Sequence, residues 1–159
     1  MEPLQTPKKS LGQNFLIDKN IINKIISIGS INKNKTVLEI GAGYGNLTKA
    51  IVCAGPKKIL AVEKDKKLAS FLQKEFKNYN NLQIINRDIL DIIEEKNLGQ
   101  NMIVFGNLPY NVSTKILASL IMLKNWPPWY DVLILMFQKE VADRILAKTQ
   151  TKEYGRLSV

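Results

Sequence analysis

Histidine is absent from this 159-residue chain, and cysteine occurs only once. Without histidine there is no Ser–His or Cys–His nucleophile pair and no histidine zinc site. The single cysteine, Cys53, excludes a disulfide framework and a thiolate metal or iron–sulfur site. Because Cys53 lies among apolar neighbours, we expect it to be a small buried residue. The chemistry is therefore expected to use amides, carboxylates, the backbone and a cofactor, with no metal ion.

Long apolar runs are also absent, since no stretch approaches the roughly twenty residues that span a bilayer. The start Met1–Gln5 lacks the apolar region of a signal peptide. Hydrophobic residues make up 45% of the chain and charged residues 23%, as in ordinary globular domains. These features predict one cytoplasmic domain with no membrane partner, and we expect a monomer.

Acidic residues are few: Asp and Glu total 14 against 23 Lys and Arg, which gives a formal net charge of +9. A balance this basic favours a polyanionic partner such as a nucleic acid. The chain is also dense in Lys, Asn and Ile, which codon bias can produce, and its basic residues are scattered. Charge alone leaves both explanations open.

Short, continuous apolar runs alternate with segments of helical pattern. The apolar runs predict strands at Thr36–Ile40, Lys58–Val62, Leu82–Ile85, Met102–Phe105 and Asp131–Met136. The intervening segments predict helices at Asn46–Ala54, Lys66–Phe76, Ser113–Leu123 and Lys139–Ala147, with Ser113 as an N-cap. Repeated β–α units of this kind predict an α/β fold with a mostly parallel sheet and helices on both faces.

Two further segments carry local predictions. Residues 125–130 contain Trp126, Trp129 and Tyr130, and we expect a packed surface loop before a ligand contact. Residues Arg156–Val159 resemble the beginning of another strand, which would leave a sheet edge unpaired. We therefore interpret the chain as a fragment, truncated before the last strands.

A glycine-rich turn follows the first predicted strand and opens a helix. Gly41, Gly43 and Gly45 allow a tight turn and close approach of the backbone to a ligand. Nicotinamide enzymes use a related turn, but their fingerprint has a further glycine at the position of Asn46. Glu39 precedes the turn, where it would repel a pyrophosphate and suit a cationic ligand.

Acidic residues end the next two predicted strands. Glu63 follows the turn by about twenty residues, where a carboxylate can bind both ribose hydroxyls. Asp88 follows the third strand, where it can bind an adenine amine. Each acid alone could be a solvated strand end. Together they predict an adenosine-like, cationic ligand without phosphates, and S-adenosylmethionine fits best.

The tetrapeptide Asn107-Leu108-Pro109-Tyr110 follows the fourth predicted strand. An exocyclic amine of a nucleobase becomes nucleophilic when neutral acceptors hold its two hydrogens. The Asn107 side-chain oxygen and the carbonyl of Leu108 or Pro109 can supply these acceptors, and Tyr110 offers a ring for stacking. The simpler alternative is a proline-containing turn with a half-buried tyrosine.

With these residues placed, the chain closely resembles the small-subunit ribosomal RNA adenine dimethyltransferases, relatives of the erythromycin-resistance RNA methyltransferases. The matching segments are Lys8–Leu16, Val37–Gly43, Glu63, Asp88, Gly106–Tyr110, Gln138–Arg144 and Tyr154–Val159. Leu108 stands where DNA adenine methyltransferases usually have a second proline, which further favours the RNA branch.

The resemblance implies a Rossmann-like S-adenosylmethionine-dependent methyltransferase fold, with residues 1–159 as an incomplete N-terminal catalytic domain. The family continues with strands that complete a seven-stranded sheet and with a helical C-terminal domain, absent here. A later aromatic segment of the family helps to hold the target base. We therefore expect cofactor binding by this chain but weak or absent turnover.

The resemblance also assigns residues to the cofactor. It implies that Gln13, Asn14 and Leu16 cover the cofactor from the N-terminal segment. The glycine turn is expected to contact the methionine part, through Gly41 with Gly43. Glu63 is expected to bind the ribose and Asp88 the adenine. Asn107 is expected to border the cofactor and to accept from the target amine, while Tyr110 stacks on the target adenine.

The implied activity is dimethylation of the exocyclic N6 of adenines in small-subunit ribosomal RNA during ribosome maturation. The implied partner is ribosomal RNA within the immature small subunit. One alternative is a non-catalytic assembly factor that binds the same subunit. An NAD-dependent oxidoreductase fits the sheet pattern, but the glycine spacing and the lack of histidine disfavour it.

Overall fold

The computed structural model describes residues 16–95, 98–109 and 111–159. Its strands are β1 Thr36–Ile40, β2 Lys58–Val62, β3 Leu82–Ile85, β4 Met102–Asn107 and β5 Tyr130–Met136. Its helices are α1 Lys19–Gly29, α2 Asn46–Cys53, α3 Lys66–Glu75, α4 Ile89–Ile92, α5 Ser113–Ile121 and α6 Lys139–Ile145. Across the described ranges, no helix combines the length and apolar character needed to span a membrane.

The five strands form one sheet in the order β3-β2-β1-β4-β5, and every neighbouring pair is parallel. The first strand therefore lies at the centre, and the chain order reverses beside it between β1 and β4. Open parallel sheets bind ligands in the crevice outside such a reversal, at the carboxyl ends of the strands. The predicted parallel α/β fold is confirmed.

Helices cover both faces of the sheet, which explains the unbroken apolar strands. On one face, Ile22 of α1 and Ile51 of α2 belong to the same buried cluster as Val37. On the other face, Leu38 packs in a cluster with Ile116 of α5. Val37 and Leu38 are neighbours in β1, and both are 0% exposed. Because successive side chains of a strand point to opposite faces, both faces must be apolar.

The predicted strands and helices are all present, with ends that differ by one or two residues. Strand β4 extends to Asn107, so the carboxamide ends the strand itself. Helix α1 was missed, although Asp18 caps it by accepting from the amides of Asn20 and Ile21. Its signal was that N-cap followed by the apolar spacing of Ile22 and Ile25, which are buried.

Three local predictions were wrong. Ser113 is not the N-cap of α5, because Val112 occupies that position and Ser113 is the buried first residue of the helix. Cys53 is exposed, because it lies on the face of α2 opposite the buried Ile51. Residues 156–158 form a turn and not a strand, and the Ser158 hydroxyl donates to the carbonyl of Arg144.

Gly29 at the end of α1 packs directly against side chains of the sheet. A Cβ at this position would overlap the ring of Phe105 and lie 3.3 Å from Cδ1 of Ile134. Phe105 is 0% exposed and cannot move into solvent. We predict that Gly29→Ala lowers the free energy of unfolding by about 1–3 kcal/mol, measured by urea denaturation. Gly155→Ala is the control, because its Cβ would have no neighbour within 4 Å; equal effects would contradict this packing.

Candidate functional site

A cavity of about 490 Å³ lies beside the glycine turn, at the carboxyl ends of the central strands. It is lined by predicted site residues from five segments of the chain: Leu16, Gly41, Gly43, Glu63, Asp88, Asn107 and Pro109. Leu108 is buried and packs in the core cluster beneath the sheet edge. Gln13, Asn14 and Tyr110 lie outside the described residues, so their predicted roles stay predictions.

The glycine turn is held by backbone bonds to the end of β2. The Gly41 amide donates to the Val62 carbonyl over 2.8 Å. Gly41 has a φ of 73° and Gly45 a φ of 82°, a region that side chains disfavour. At Gly45 a Cβ would also lie 2.6 Å from the ring of Phe76 in the loop after α3. The turn therefore requires glycine at these positions for conformation and for packing.

Glu63 joins two turns through its side chain. One carboxylate oxygen accepts from the Gly43 amide at 2.9 Å, and the other accepts from the Asp65 amide at 2.8 Å. The residue is 7% exposed. Its own amide donates to the Ile85 carbonyl at the end of β3. The predicted ribose-binding acid is therefore fixed against the glycine turn, the start of α3 and the neighbouring strand.

Glu39 is a second buried acid at the cavity. It is 1% exposed, and its carboxyl accepts a hydrogen bond of 2.7 Å from the Thr48 hydroxyl of α2. Burial raises the pKa of Glu39 to about 7, although the bond from Thr48 opposes this, and the nearby charge of Glu63 adds to it. Near neutral pH, Glu39 is therefore divided between its charged and neutral forms.

Asp88 has two partners in the cavity wall. One oxygen caps α4 by accepting from the Leu90 amide at 3.0 Å, and the other pairs with Lys64 Nζ at 2.7 Å. Partial burial raises the pKa of this carboxyl, but the bonds from Lys64 and Leu90 and the charges of Lys64 and Lys115 outweigh it. The net effect is a pKa below the usual range. The predicted adenine-binding acid is thus in the cavity and charged at neutral pH.

The sequence predicts either the Leu108 or the Pro109 carbonyl as the backbone acceptor beside Asn107. The Pro109 carbonyl accepts from the Val112 amide at 3.1 Å, within the turn that leads into α5. The Pro109 carbonyl therefore already accepts one backbone hydrogen bond within this turn. The Asn107 backbone lies beside the glycine turn, since a Cβ at Gly41 would lie 3.6 Å from the Asn107 backbone carbonyl oxygen.

Three polar residues that support the site were missed from the sequence. Asn46 donates from its side chain to the Leu16 carbonyl at 2.8 Å, which ties the residues before α1 to the glycine turn. Asn86 donates to the carbonyls of Glu63 and Lys64. Lys64 pairs with Asp88. Their residue types gave no signal, because each partner lies more than twenty residues away in the sequence.

The aromatic loop is a structural element, as predicted. The Trp129 indole donates to the Ile93 carbonyl at 3.1 Å, and the Tyr130 hydroxyl donates to the Leu120 carbonyl at 2.8 Å. Trp126 is 73% exposed. None of the three lines the cavity. In the described part of the chain, no group of three or more His, Cys, Asp or Glu side chains is placed to hold a metal ion.

Comparison with known proteins decides the family. The family model described as "Ribosomal RNA adenine dimethylase" matches residues 4–159. The chain belongs to this family. It is 53% identical over 152 residues to "Ribosomal RNA small subunit methyltransferase A" of Pelagibacter ubique, covering 96% of this chain and 57% of the relative. The protein of the same name from Zymomonas mobilis is 44% identical over 152 residues, covering 95% of this chain and 54% of the relative.

Solved structures agree with the fold of the family. A dimethyladenosine transferase from Plasmodium falciparum superposes with a TM-score of 0.77 at 32% identity, covering 92% of this chain and 51% of that one. The 23S rRNA methyltransferase ErmE superposes with a TM-score of 0.72 at 24% identity, covering 90% and 53%. Both the predicted Rossmann-like methyltransferase fold and the predicted family are confirmed. The chain spans about half the length of the curated relatives it matches.

The raised pKa of Glu39 makes stability depend on pH. In the folded chain the pKa is about 7, against an ordinary value of 4.5, so the folded state keeps this proton to higher pH. The resulting stabilisation is complete below about pH 4.5 and is lost as the pH rises through about 7. Glu39→Gln keeps an acceptor for Thr48 but cannot titrate.

We therefore predict that wild-type stability falls, relative to Glu39→Gln, by on the order of 3 kcal/mol between about pH 4.5 and pH 8. Urea denaturation across this range measures the difference. Glu75→Gln, at an exposed glutamate of α3, is the matched control. If the difference in free energy of unfolding between the wild type and Glu39→Gln stayed constant with pH, the pKa of Glu39 would not be raised by folding.

Proposed function

We propose that this chain is the cofactor-binding and methyl-transferring part of an enzyme that dimethylates N6 of adenines in small-subunit ribosomal RNA. The observation that carries the proposal is the convergence of the glycine turn, Glu63 and Asn107 on one cavity. A cofactor turn, a ribose-binding acid and a neutral acceptor for an amine are the parts that this reaction requires. S-adenosylmethionine would supply a methyl group that is already activated by its sulfonium charge.

The cavity fits the adenosine part of this cofactor. A carboxylate offers about four lone-pair positions. The amides of Gly43 and Asp65 occupy two of those on Glu63, which leaves two for the two ribose hydroxyls. Asp88 lies in the same wall as an acceptor for the adenine amine. Leu16 and Ile89 supply apolar lining for the purine.

The methyl acceptor is proposed to enter beside Asn107. The Asn107 side-chain oxygen and the Leu108 carbonyl accept the two N–H bonds of the target adenine, which concentrates the nitrogen lone pair toward the cofactor. Positive charge then develops on that nitrogen, and these two fixed acceptors stabilise it. Neutral acceptors suffice because the methyl group is already activated. Transfer would be direct, with no covalent bond between enzyme and substrate. The N–CH₃ bond would form as the S–CH₃ bond of the cofactor breaks, S-adenosylhomocysteine would leave, and the methylated amine would release its extra proton to water. Tyr110 is proposed as the stacking ring.

The substrate is proposed from the relatives and the charge of the chain. The Pelagibacter and Zymomonas relatives are named as methyltransferases of the small ribosomal subunit, and the Plasmodium neighbour as a dimethyladenosine transferase. A net charge of +9 suits a polyanion, and Lys66, Lys67 and Arg87 line the cavity beside the acids. We therefore propose that the partner is the immature small ribosomal subunit. We also propose that residues 1–159 form an N-terminal catalytic domain, and that the protein is a cytoplasmic monomer.

Cofactor binding gives the first test. We predict that calorimetric titration shows S-adenosylmethionine binding that NADH does not reduce. Glu63→Ala should weaken that binding at least tenfold, because it removes the acceptor of two ribose hydroxyls. Glu75→Ala, at an exposed acid of α3, should leave the affinity unchanged. Thermal unfolding identifies any variant that fails to fold, and equal affinities for wild type and Glu63→Ala would exclude the proposed ribose site.

Methyl transfer gives the second test. We predict that Asn107→Ala lowers the single-turnover rate of labelled methyl transfer to immature small subunits by roughly 100-fold from the weak rate expected of the wild-type chain, because one fixed acceptor is lost from the transition state. Cofactor affinity should change by only a few-fold. Comparable losses in rate and affinity would make Asn107 a cofactor ligand only. Unchanged methyl transfer by Asn107→Ala would exclude the acceptor role. If Asn107→Ala lost methyl transfer but still supported maturation of the small subunit, the result would favour the non-catalytic assembly factor.

A further inference from the structure

The ion pair between Lys64 and Asp88 lies inside the proposed cofactor site. Lys64 Nζ is 2.7 Å from one carboxylate oxygen of Asp88, and both residues line the cavity. The Lys64 side chain is 71% exposed, whereas that of Asp88 is 25% exposed. The lysine therefore approaches the acid from the solvent side of the cavity. It occupies an oxygen to which an adenine amine would also donate.

The backbone keeps Lys64 at this position. Lys64 directly follows Glu63, whose amide is bonded to the Ile85 carbonyl of β3. The Asn86 side chain donates to the Glu63 carbonyl at 2.9 Å and to the Lys64 carbonyl at 3.2 Å. The end of β2 is thus attached to the segment that leads from β3 to Asp88. This attachment brings the Lys64 backbone close to the segment that carries Asp88.

The charges around the pair favour its ionised form. The bond from Lys64 contributes to the lowered pKa of Asp88, and the same bond raises the pKa of Lys64. The second Asp88 oxygen is engaged by the Leu90 amide, which caps α4. Lys115 adds positive charge near Asp88, and Asp91 adds negative charge near Lys64. Each Asp88 oxygen therefore already accepts from one donor, and of these two donors only Lys64 lines the cavity from which a ligand would approach.

We propose that Lys64 is a specificity-determining residue that competes with the adenine amine of the cofactor for Asp88. When the adenine binds, its amine would replace the Lys64 ammonium as a donor to Asp88. The displaced Lys64 side chain would then extend into the solvent, to which it is already exposed. The inference rests on the proposed function, because it takes Asp88 as the adenine acceptor. Exposed ion pairs are weak, so the competition lowers affinity by a few-fold and does not abolish binding.

The test compares Lys64→Met with the wild-type chain by calorimetry. S-adenosylhomocysteine is the probe, because it carries no sulfonium charge and responds least to a lost lysine charge. We predict that Lys64→Met binds it roughly three- to sixfold more tightly, as loss of a weak exposed ion pair would give. Lys74→Met is the matched control: Lys74 is an exposed lysine in the last turn of α3 and is not among the residues that line the cavity, so its loss should change affinity less than twofold.

Two further readouts separate competition from other causes. The ratio of the Lys64→Met affinity to the wild-type affinity for S-adenosylhomocysteine should fall toward one as salt is raised, because salt weakens the wild-type ion pair. The variant should show no gain in affinity for S-inosylhomocysteine, whose 6-oxo group cannot donate to Asp88. An equal gain for both ligands would indicate stacking by the new methionine and would overturn the proposal. Unchanged or weaker binding of S-adenosylhomocysteine by folded Lys64→Met would also overturn the proposal.

The same experiment distinguishes this inference from the function on which it rests. Absence of S-adenosylhomocysteine binding by the folded wild-type chain would overturn the proposed function, and this inference with it. Wild-type binding that is lost in Glu63→Ala but not improved in Lys64→Met would retain the proposed function and overturn the inference alone.

Discussion

The carboxylate of Glu63 is the interaction on which the site depends. It accepts the amides of Gly43 and Asp65 and so joins the turn after β1 to the turn after β2. Without it, these two turns would be held together only by side-chain packing and by the backbone bonds from Gly41 and Ala42 to the Val62 carbonyl at the end of β2. The same carboxylate is the proposed ribose ligand. One buried acid therefore sets both the shape of the cavity and its main polar contact, which is why affinity and stability must be measured together at this residue.

The sheet was predictable from the sequence because burial on both faces leaves a strong signal. Val37 and Leu38 are adjacent and fully buried, so β1 is apolar without interruption. The site followed from the same logic, since Glu63 and Asn107 end or directly follow strands that are parallel neighbours of β1. Because parallel strands end at the same edge of a sheet, the sequence alone predicts that Glu63 and Asn107 lie at the same edge. The resemblance in motifs then pointed to the family that the comparisons confirm.

The failed predictions concern features that tertiary contacts decide. Ser113 has the residue type of an N-cap, but the turn after Pro109 places Val112 in that position. Cys53 has apolar neighbours in sequence, but the face of α2 on which it lies points outward. The pairing of Lys64 with Asp88 was equally invisible, because it depends on which segments Asn86 attaches across the sheet. Residue type predicts local conformation, whereas partner identity requires the register of distant segments.

The acids of the cavity carry less negative charge than their number suggests. Glu39 has a pKa of about 7 and is partly neutral at physiological pH. Asp88 is paired with Lys64, whose positive charge offsets its own. Electrostatic attraction is then a weak source of selectivity for a cationic cofactor. The proposed selectivity must come from hydrogen-bond geometry: the two remaining positions on Glu63 and the exchange at Asp88. A site built this way would recognise the adenosine group of the proposed cofactor by hydrogen bonds, while the lysines at the cavity would leave positive charge for the proposed polyanionic substrate.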